Sequence, residues 1–523
     1  MTPSVSLPYL FSKLYQMENL FLSIIVLFFP SLLFVIMIPK LAAWKKSRTA
    51  NSTLKIPPGP MKLPLIGNLH LLVGSLPHHR LRDLAKTYGS LMHLQLGEIS
   101  NIVVSSAEIA HEMLKTQDVN FSERPFLLAA SVYGSISITM VPYGEFWRQL
   151  RRICTQELLS PGRVQSFRSI REEEVSNLLR YLHTSVDTPI NLTEQIFAMT
   201  YGITAKAAFG RKCKDQEAFS SVVREILKIA GGFSLSEVFP SKKFLRRISG
   251  LGPKIEKNFK KTDQILERIL RDWREEREAK TGEGKGNSLL DVLLNLQENG
   301  DLAVPLEDPN IKAILLDIFV AGSDTSSTVL EWAMLEMLRD PRVMEKAQAE
   351  VRQVFGGKGK VDETCLHELK YLKLIIKETM RLHPPGPLLL PRESKEDCVI
   401  NGYYIPAKTK VIINAWAIGR DPNHWTDPEQ FYPERFVDSS VDFKGTNFEF
   451  IPFGAGRRMC PGITFAMADI EHPLAALLFH FDWRLPGGTA HENLDMTEHF
   501  GVTVGRKGGL YLIPVNPYSS SSI

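Results

Sequence analysis

The chain has 523 residues, 44% of them hydrophobic and 23% charged, with a net charge of +4 at pH 7. That is ample for a large buried core, and so small a net charge on so long a chain gives no argument for a nucleic-acid partner. Five scattered cysteines (Cys154, Cys213, Cys365, Cys398, Cys460) without a Cys-x-x-Cys pair favour a reducing compartment over a disulfide scaffold, and the lack of a His-Glu-x-x-His motif weakens a zinc enzyme.

Leu20–Ile38 is nearly all apolar, interrupted by Ser23, Pro30 and Ser31. At about 1.5 Å per residue it is long enough to cross a bilayer core. Lys40, Lys45, Lys46 and Arg48 follow it and only Lys13 precedes it, which places the bulk of the chain in the cytosol. A cleaved signal peptide is the rival reading; the run is longer than the usual apolar core of one, and no small-x-small site follows directly. Pro57-Pro58-Gly59-Pro60 then forms a stiff elbow. Residues 1–55 are therefore read as a membrane anchor with a basic linker, and 56–523 as the functional domain.

Leu91–Leu96 and Asn101–Ser105 read as strands around a turn at Gly97, and Ala107–Leu114 has helical spacing. Phe121–Met140 has no clear period. In Tyr143–Arg152, Trp147 and Arg151 stand four apart and share a helix face. An indole N–H beside a guanidinium suits a carboxylate-bearing ligand; a basic surface helix is the plainer reading. Ile229–Ile248 mixes apolar and basic residues, as a membrane-surface segment or an ordinary amphipathic connection does. Asn258–Lys280 reads as a charged, exposed helix.

Asn310–Arg339 reads as one helix of about 45 Å, started by Asp308-Pro309 and ended by Asp340-Pro341. It is apolar nearly all round through Ile314–Ala321, and so buried. Yet its middle is Ala321-Gly322-Ser323-Asp324-Thr325-Ser326. Polar groups inside a buried helix are costly, and such a local inconsistency marks function. The rival is a Ser/Thr run bonded back to helix carbonyls. Further on, Glu378 and Arg381 share a helix face at i, i+3, on a helix that ends at His383-Pro384-Pro385. Asn401-Gly402 marks a hairpin turn within Val399–Ile405, Lys410–Ala415 a strand, and Phe500–Val504 a strand and turn. The fold class is mainly α with small β-sheets.

Phe453–Gly462 reads Phe-Gly-Ala-Gly-Arg-Arg-Met-Cys-Pro-Gly. Gly454 and Gly456 allow a tight turn, and Cys460 lies close to the start of a helix-like apolar segment. A helix N-terminus stabilises a thiolate. The plain alternative is a buried structural cysteine.

The pattern Phe453-x-x-Gly456-x-Arg458-x-Cys460-x-Gly462 resembles the haem-binding signature of the cytochrome P450 family. The resemblance extends in order from the proline elbow to near the C-terminus. It implies the cytochrome P450 fold behind an N-terminal transmembrane helix, heme b as cofactor, and Cys460 as axial ligand of the haem iron. Arg458, Trp147, Arg151 and Arg392 would reach haem propionates, with Phe453 and Gly456 shaping the loop. Asp324 and Thr325 resemble the family's acid–alcohol pair: Thr325 would hydrogen-bond the oxygen being activated and Asp324 would relay protons. Glu378 and Arg381, with Arg435 of Pro433-Glu434-Arg435-Phe436, resemble its structural triad. Ala321, Leu388, Leu389 and Val502 would line the substrate pocket.

The finer resemblance, carried by Leu63–His70, Ala321–Ser326 and Phe453–Gly462, is to plant microsomal members that oxidise terpenoids. It implies an endoplasmic-reticulum monooxygenase with a cytosolic catalytic domain, taking electrons from a separate NADPH–cytochrome P450 reductase and inserting one atom of O2 into a small apolar substrate. No nicotinamide fingerprint or flavin domain is visible in the chain. Alternatives are a phenylpropanoid, alkaloid or fatty-acid substrate, a hydroperoxide isomerase of the same fold, or a non-catalytic haem sensor. One departure is Pro473, which removes a backbone bond inside the helix after Cys460.

Overall fold

The computed structural model describes residues 55–127, 133, 136–210, 216–229, 234–279 and 287–517. The apolar run Leu20–Ile38 and Cys213 lie outside the described residues. Ile56–Ile523 forms one compact unit.

Its axis is the helix Asp308–Arg339, 32 residues long and largely buried along its length. Pro309 stands in its first turn, and the Glu307 and Asn310 side chains cap it reciprocally. Among the described residues it is the one helix long and apolar enough to cross a membrane, but most of that apolar stretch is buried in the core. It packs against Leu192–Phe209, Lys370–Leu382 and Ile463–His480. Phe319 is fully buried, its ring 5.3 Å from Phe209, 5.5 Å from Tyr201 and 5.0 Å from Phe219. Burying one such side chain contributes about 1.5–3 kcal/mol. Ile463–His480 runs through Pro473 as one helix.

The sheets are small. The largest has four strands in the order Leu91–Leu96, Ile99–Val104, Lys410–Ile413, Arg392–Glu393. Its first pair is antiparallel, the second parallel and the third antiparallel. The first pair turns at Gly97, whose φ is +57°, a left-handed value that suits glycine. Asn401 and Gly402, at φ +46° and +76°, turn the hairpin Cys398–Ile400 to Tyr403–Ile405. The periodicity at Ala107–Leu114 resolves into a short α-helix, Ala107–His111, continued by a wider π-turn over Glu112–Thr116. Glu145–Arg152 continues in the same way over Ile153–Leu158.

Candidate functional site

The loop around Cys460 is closed by its own backbone. The Cys460 N–H donates to the Phe453 carbonyl at 3.0 Å, Met459 N–H to Gly456 at 3.1 Å, and Gly454 N–H to Ile451 at 2.9 Å. Gly454 and Gly456 have φ of +70° and +71°. A Cβ on Gly456 would lie 2.2 Å from the Leu114 carbonyl oxygen, so nothing larger than glycine fits. Gly462 caps the Ile463–His480 helix, and its N–H donates to Cys460 Sγ at 3.4 Å. Burial pushes the Cys460 thiol up, while the Gly462 N–H and the Arg151 charge favour the thiolate.

Guanidinium groups gather on the same loop. Arg151 donates to the Met459 carbonyl at 2.5 Å and Arg392 to Ala455 at 2.9 Å. Arg458 donates to the carbonyls of Ser122 and Val141, both at 2.5 Å. Arg124 is a fourth member, donating to Thr139 at 2.9 Å, Leu390 at 2.8 Å and Pro391 at 2.7 Å. Burial brings Arg392 and Arg458 down to about 10, with Arg392 also repelling Arg458. Arg124 is lowered by burial and by both neighbours. Asp118, 3.4 Å from Arg392, offsets only part of this crowding. Trp147 is 5% exposed, lies under the Arg458 guanidinium at 5.1 Å, and its indole N–H is buried without a partner.

Crowded, partly desolvated cations beside an orphaned N–H donor are what a dianionic ligand relieves. A thiolate ligand and a cradle for two carboxylates fit haem. Arg124 was not legible in the sequence; it sits in the aperiodic Phe121–Met140 stretch, and its partners are backbone carbonyls.

On the long helix, Thr325 donates to the Ala321 carbonyl at 2.5 Å, and Ser327 and Thr328 donate to Asp324 at 2.9 and 2.8 Å. These hydroxyls do bond back to helix carbonyls. The Asp324 carboxyl instead reaches the Thr503 hydroxyl; burial raises its pKa, and Thr503 and Arg224 pull it back. Ala321 is exposed midway along this largely buried helix. A side chain at Gly322 would meet Thr204 at 3.5 Å and Phe465 at 3.6 Å, so the glycine faces two neighbouring helices, including the one that follows Cys460.

Glu378, Arg381 and Arg435 come together as one buried group: Arg381 donates to both Glu378 oxygens at 2.7 and 2.8 Å, and Arg435 to one at 2.9 Å. Leu389 packs against the cluster that holds Ala455 and Ile451, and a Cβ on Gly454 would lie 3.8 Å from it. Leu388 packs on a different cluster, with Leu72, Leu81 and Ile412. Val502 lies against the main helical core, in the turn between Glu498–His499 and Gly505–Arg506. Phe453 stacks edge-on with Phe443 at 5.4 Å.

The cytochrome P450 family model matches residues 57–513. The chain belongs to the cytochrome P450 family. It is 55% identical over 474 residues to a desmethyl-deoxy-podophyllotoxin synthase of Sinopodophyllum hexandrum, covering 90% of this chain and 93% of that one. It is 50% identical over 506 residues to the premnaspirodiene oxygenase of Hyoscyamus muticus, covering 96% and 99%. A zebrafish cytochrome P450 solved with progesterone superposes with a TM-score of 0.72 at 24% identity, over 84% of this chain and 100% of the other. This cytochrome P450 is thus a haem-thiolate monooxygenase of the plant type, with heme b as its cofactor and O2, an apolar substrate and a reductase as its general partners.

Proposed function

We propose that this cytochrome P450 oxidises a terpenoid, of sesquiterpene or diterpene size, at an unactivated C–H or C=C bond. The observation that carries the reading is the 50% likeness to premnaspirodiene oxygenase along nearly the full length of both chains. The 55% likeness to a desmethyl-deoxy-podophyllotoxin synthase favours a second reading, a substrate outside the terpenoids.

In this reading haem supplies the activation of O2. Cys460 ligates the iron, with the Gly462 N–H and Arg151 favouring the thiolate. Arg124, Arg151, Arg392, Arg458 and the Trp147 N–H hold the two carboxylates, while Phe453 and Gly456 fix the loop. Asp324 and Thr325 deliver protons at the Ala321 turn. Ala321, Leu389 and Val502 contact substrate; Leu388 supports them from the neighbouring cluster. Glu378, Arg381 and Arg435 lock the segment that follows the Lys370–Leu382 helix.

Residues 1–55 anchor the enzyme in the endoplasmic reticulum by one span, with 56–523 in the cytosol. Exposed apolar side chains after the elbow support contact with a membrane: Met61 is 85% exposed and Val73 76%.

The test is product analysis. Yeast membranes carrying this chain and a plant reductase are given NADPH with sesquiterpene and diterpene scaffolds, phenolics, alkaloids and fatty acids. A terpene product heavier by one oxygen supports the proposal. Turnover of a non-terpenoid alone keeps the monooxygenase and overturns the substrate class.

A further inference from the structure

Asp317 is the one charged residue in the apolar run Ile314–Ala321. It stands one turn before Ala321 and two turns before Asp324, at i, i+4 and i+7, on the same helix face.

Its carboxylate is crowded with donors. The Ser137 hydroxyl approaches its two oxygens at 2.9 and 2.7 Å, and the Thr139 hydroxyl donates at 3.1 Å. The Thr139 N–H donates to Ser137 Oγ at 3.2 Å, and the backbone dipoles at Ile138 and Thr139 favour the charged carboxylate. The carbonyls of the same short turn are held by cations. Arg458 reaches Ile138 at 3.4 Å, Thr139 at 3.5 Å and Val141 at 2.5 Å, and Arg124 reaches Thr139 at 2.9 Å. The turn thus offers hydroxyls and backbone dipoles to an anion on one side and C=O groups to two cations on the other. Each contact polarises the next through the peptide units between them.

We propose that Asp317 is a positioning residue: it clamps the Ser137–Val141 turn and thereby aims the Arg124 and Arg458 guanidinium groups at the haem carboxylates. This rests on the reading of those arginines as the propionate cradle. Asp317 links the helix that carries Asp324 and Thr325 to the grip on the cofactor's edge. Burial pushes its carboxyl up to about 6, and the donors of the turn hold it down against that cost. An apolar residue would avoid the cost but take away the acceptor that ties the turn's two hydroxyls to the long helix.

The test uses the full-length holoprotein in detergent and reads haem transfer to excess apomyoglobin, together with hydrogen exchange of residues 136–142. Asp317→Asn keeps the shape but replaces one acceptor oxygen with a donor. Haem should leave about tenfold faster, as the loss of hydrogen bonds to a charged group implies. Exchange should rise in 136–142 and stay unchanged in Leu192–Phe209. Asp317→Glu, which keeps the carboxylate, should release haem more slowly than Asp317→Asn.

Wild-type haem release and exchange in Asp317→Asn would overturn the proposal. So would faster release from Asp317→Glu than from Asp317→Asn, because shape rather than charge would then matter. If Asp317→Asn yields no folded protein, the Ser137→Ala, Thr139→Val double variant removes two donors from the other side and is held to the same outcomes. Arg458→Ala separates the two ideas. Fast haem loss there with wild-type behaviour in Asp317→Asn leaves the cradle and removes the clamp. Wild-type haem release in Arg458→Ala removes the cradle, and with it the link to haem, whatever the exchange in 136–142.

Discussion

The carboxylate of Glu378 is fully buried between two guanidinium groups, paired with Arg381 through both oxygens and with Arg435 through one. The spare N–H groups are not idle: Arg381 donates to the carbonyls of Gly419 and Pro428, both at 2.7 Å, and Arg435 to that of Thr426 at 2.7 Å. One negative charge thereby ties the Lys370–Leu382 helix to the irregular segment 419–430. Removing it strands two cations, Arg381 fully buried and Arg435 largely so. Glu378→Gln should cost about 3–5 kcal/mol, the penalty for breaking a buried charge pair from one side. Thermal unfolding and the yield of haem-loaded protein would check this. Arg435→Lys keeps the charge but not the fork, and should cost less than Glu378→Gln.

Gly454 and Gly456 have the same left-handed backbone but different surroundings. At Gly454 the nearest atom to an added Cβ is the flexible tip of Leu389, 3.8 Å away. At Gly456 it is the Leu114 carbonyl at 2.2 Å, with Asp118 Oδ1 at 2.8 Å. Gly454→Ala should cost only the backbone term, roughly 1–2 kcal/mol. Gly456→Ala adds a collision with main chain that cannot swing away, so it should accumulate without haem. Equal haem content in the two variants would show that the Leu114 contact does not limit the loop.

The features legible in the sequence were those whose geometry is set locally. The Phe453–Gly462 spacing, the Trp147/Arg151 pair at i, i+4 and the start of the long helix at Asp308-Pro309 each fix a structure within a few residues. Arg124 and Asp317 escaped because what defines them is distant. Arg124 bonds to carbonyls of Thr139, Leu390 and Pro391, which any residue type would present. Asp317 reads in sequence as part of an apolar stretch, and its partners are the hydroxyls of Ser137 and Thr139, some 180 residues earlier. The neighbouring leucines show the same limit. Leu388 and Leu389 are adjacent in sequence, yet the turn at Leu389, with φ of +49°, sends them to different clusters.

Cys460 should be replaceable in the fold but not in the chemistry. Its Sγ accepts one weak hydrogen bond, from Gly462, and the loop is closed by backbone bonds that do not need the sulfur. Cys460→Ser should therefore fold, retain part of its haem on the arginine cradle, and lose the thiolate-type carbonyl-difference spectrum of the reduced enzyme. A normal spectrum in that variant would remove Cys460 as the ligand.

Asp324 and Thr325 divide stability from function in a way that can be measured. Burial raises the Asp324 carboxyl above its ordinary value of 3.8, so the folded state binds this proton more tightly than the unfolded chain does. Its contribution to stability is present at low pH and is lost as pH rises from the ordinary value through the raised one. At neutral pH, Asp324→Asn should then fold at least as well as the wild type. If Asp324 hands on protons, the same variant should use NADPH while forming about tenfold less product, or less still, with the difference released as hydrogen peroxide. Coupling in the wild type should fall as pH rises through the raised pKa and the acid loses its proton; in Asp324→Asn that part of the profile should be flat. Thr325→Val, which keeps the branched shape, should uncouple in the same way, and Thr325→Ser, which keeps a hydroxyl able to reach the Ala321 carbonyl, should not. Equal coupling in Thr325→Val and Thr325→Ser would mean that the proton arrives by another route.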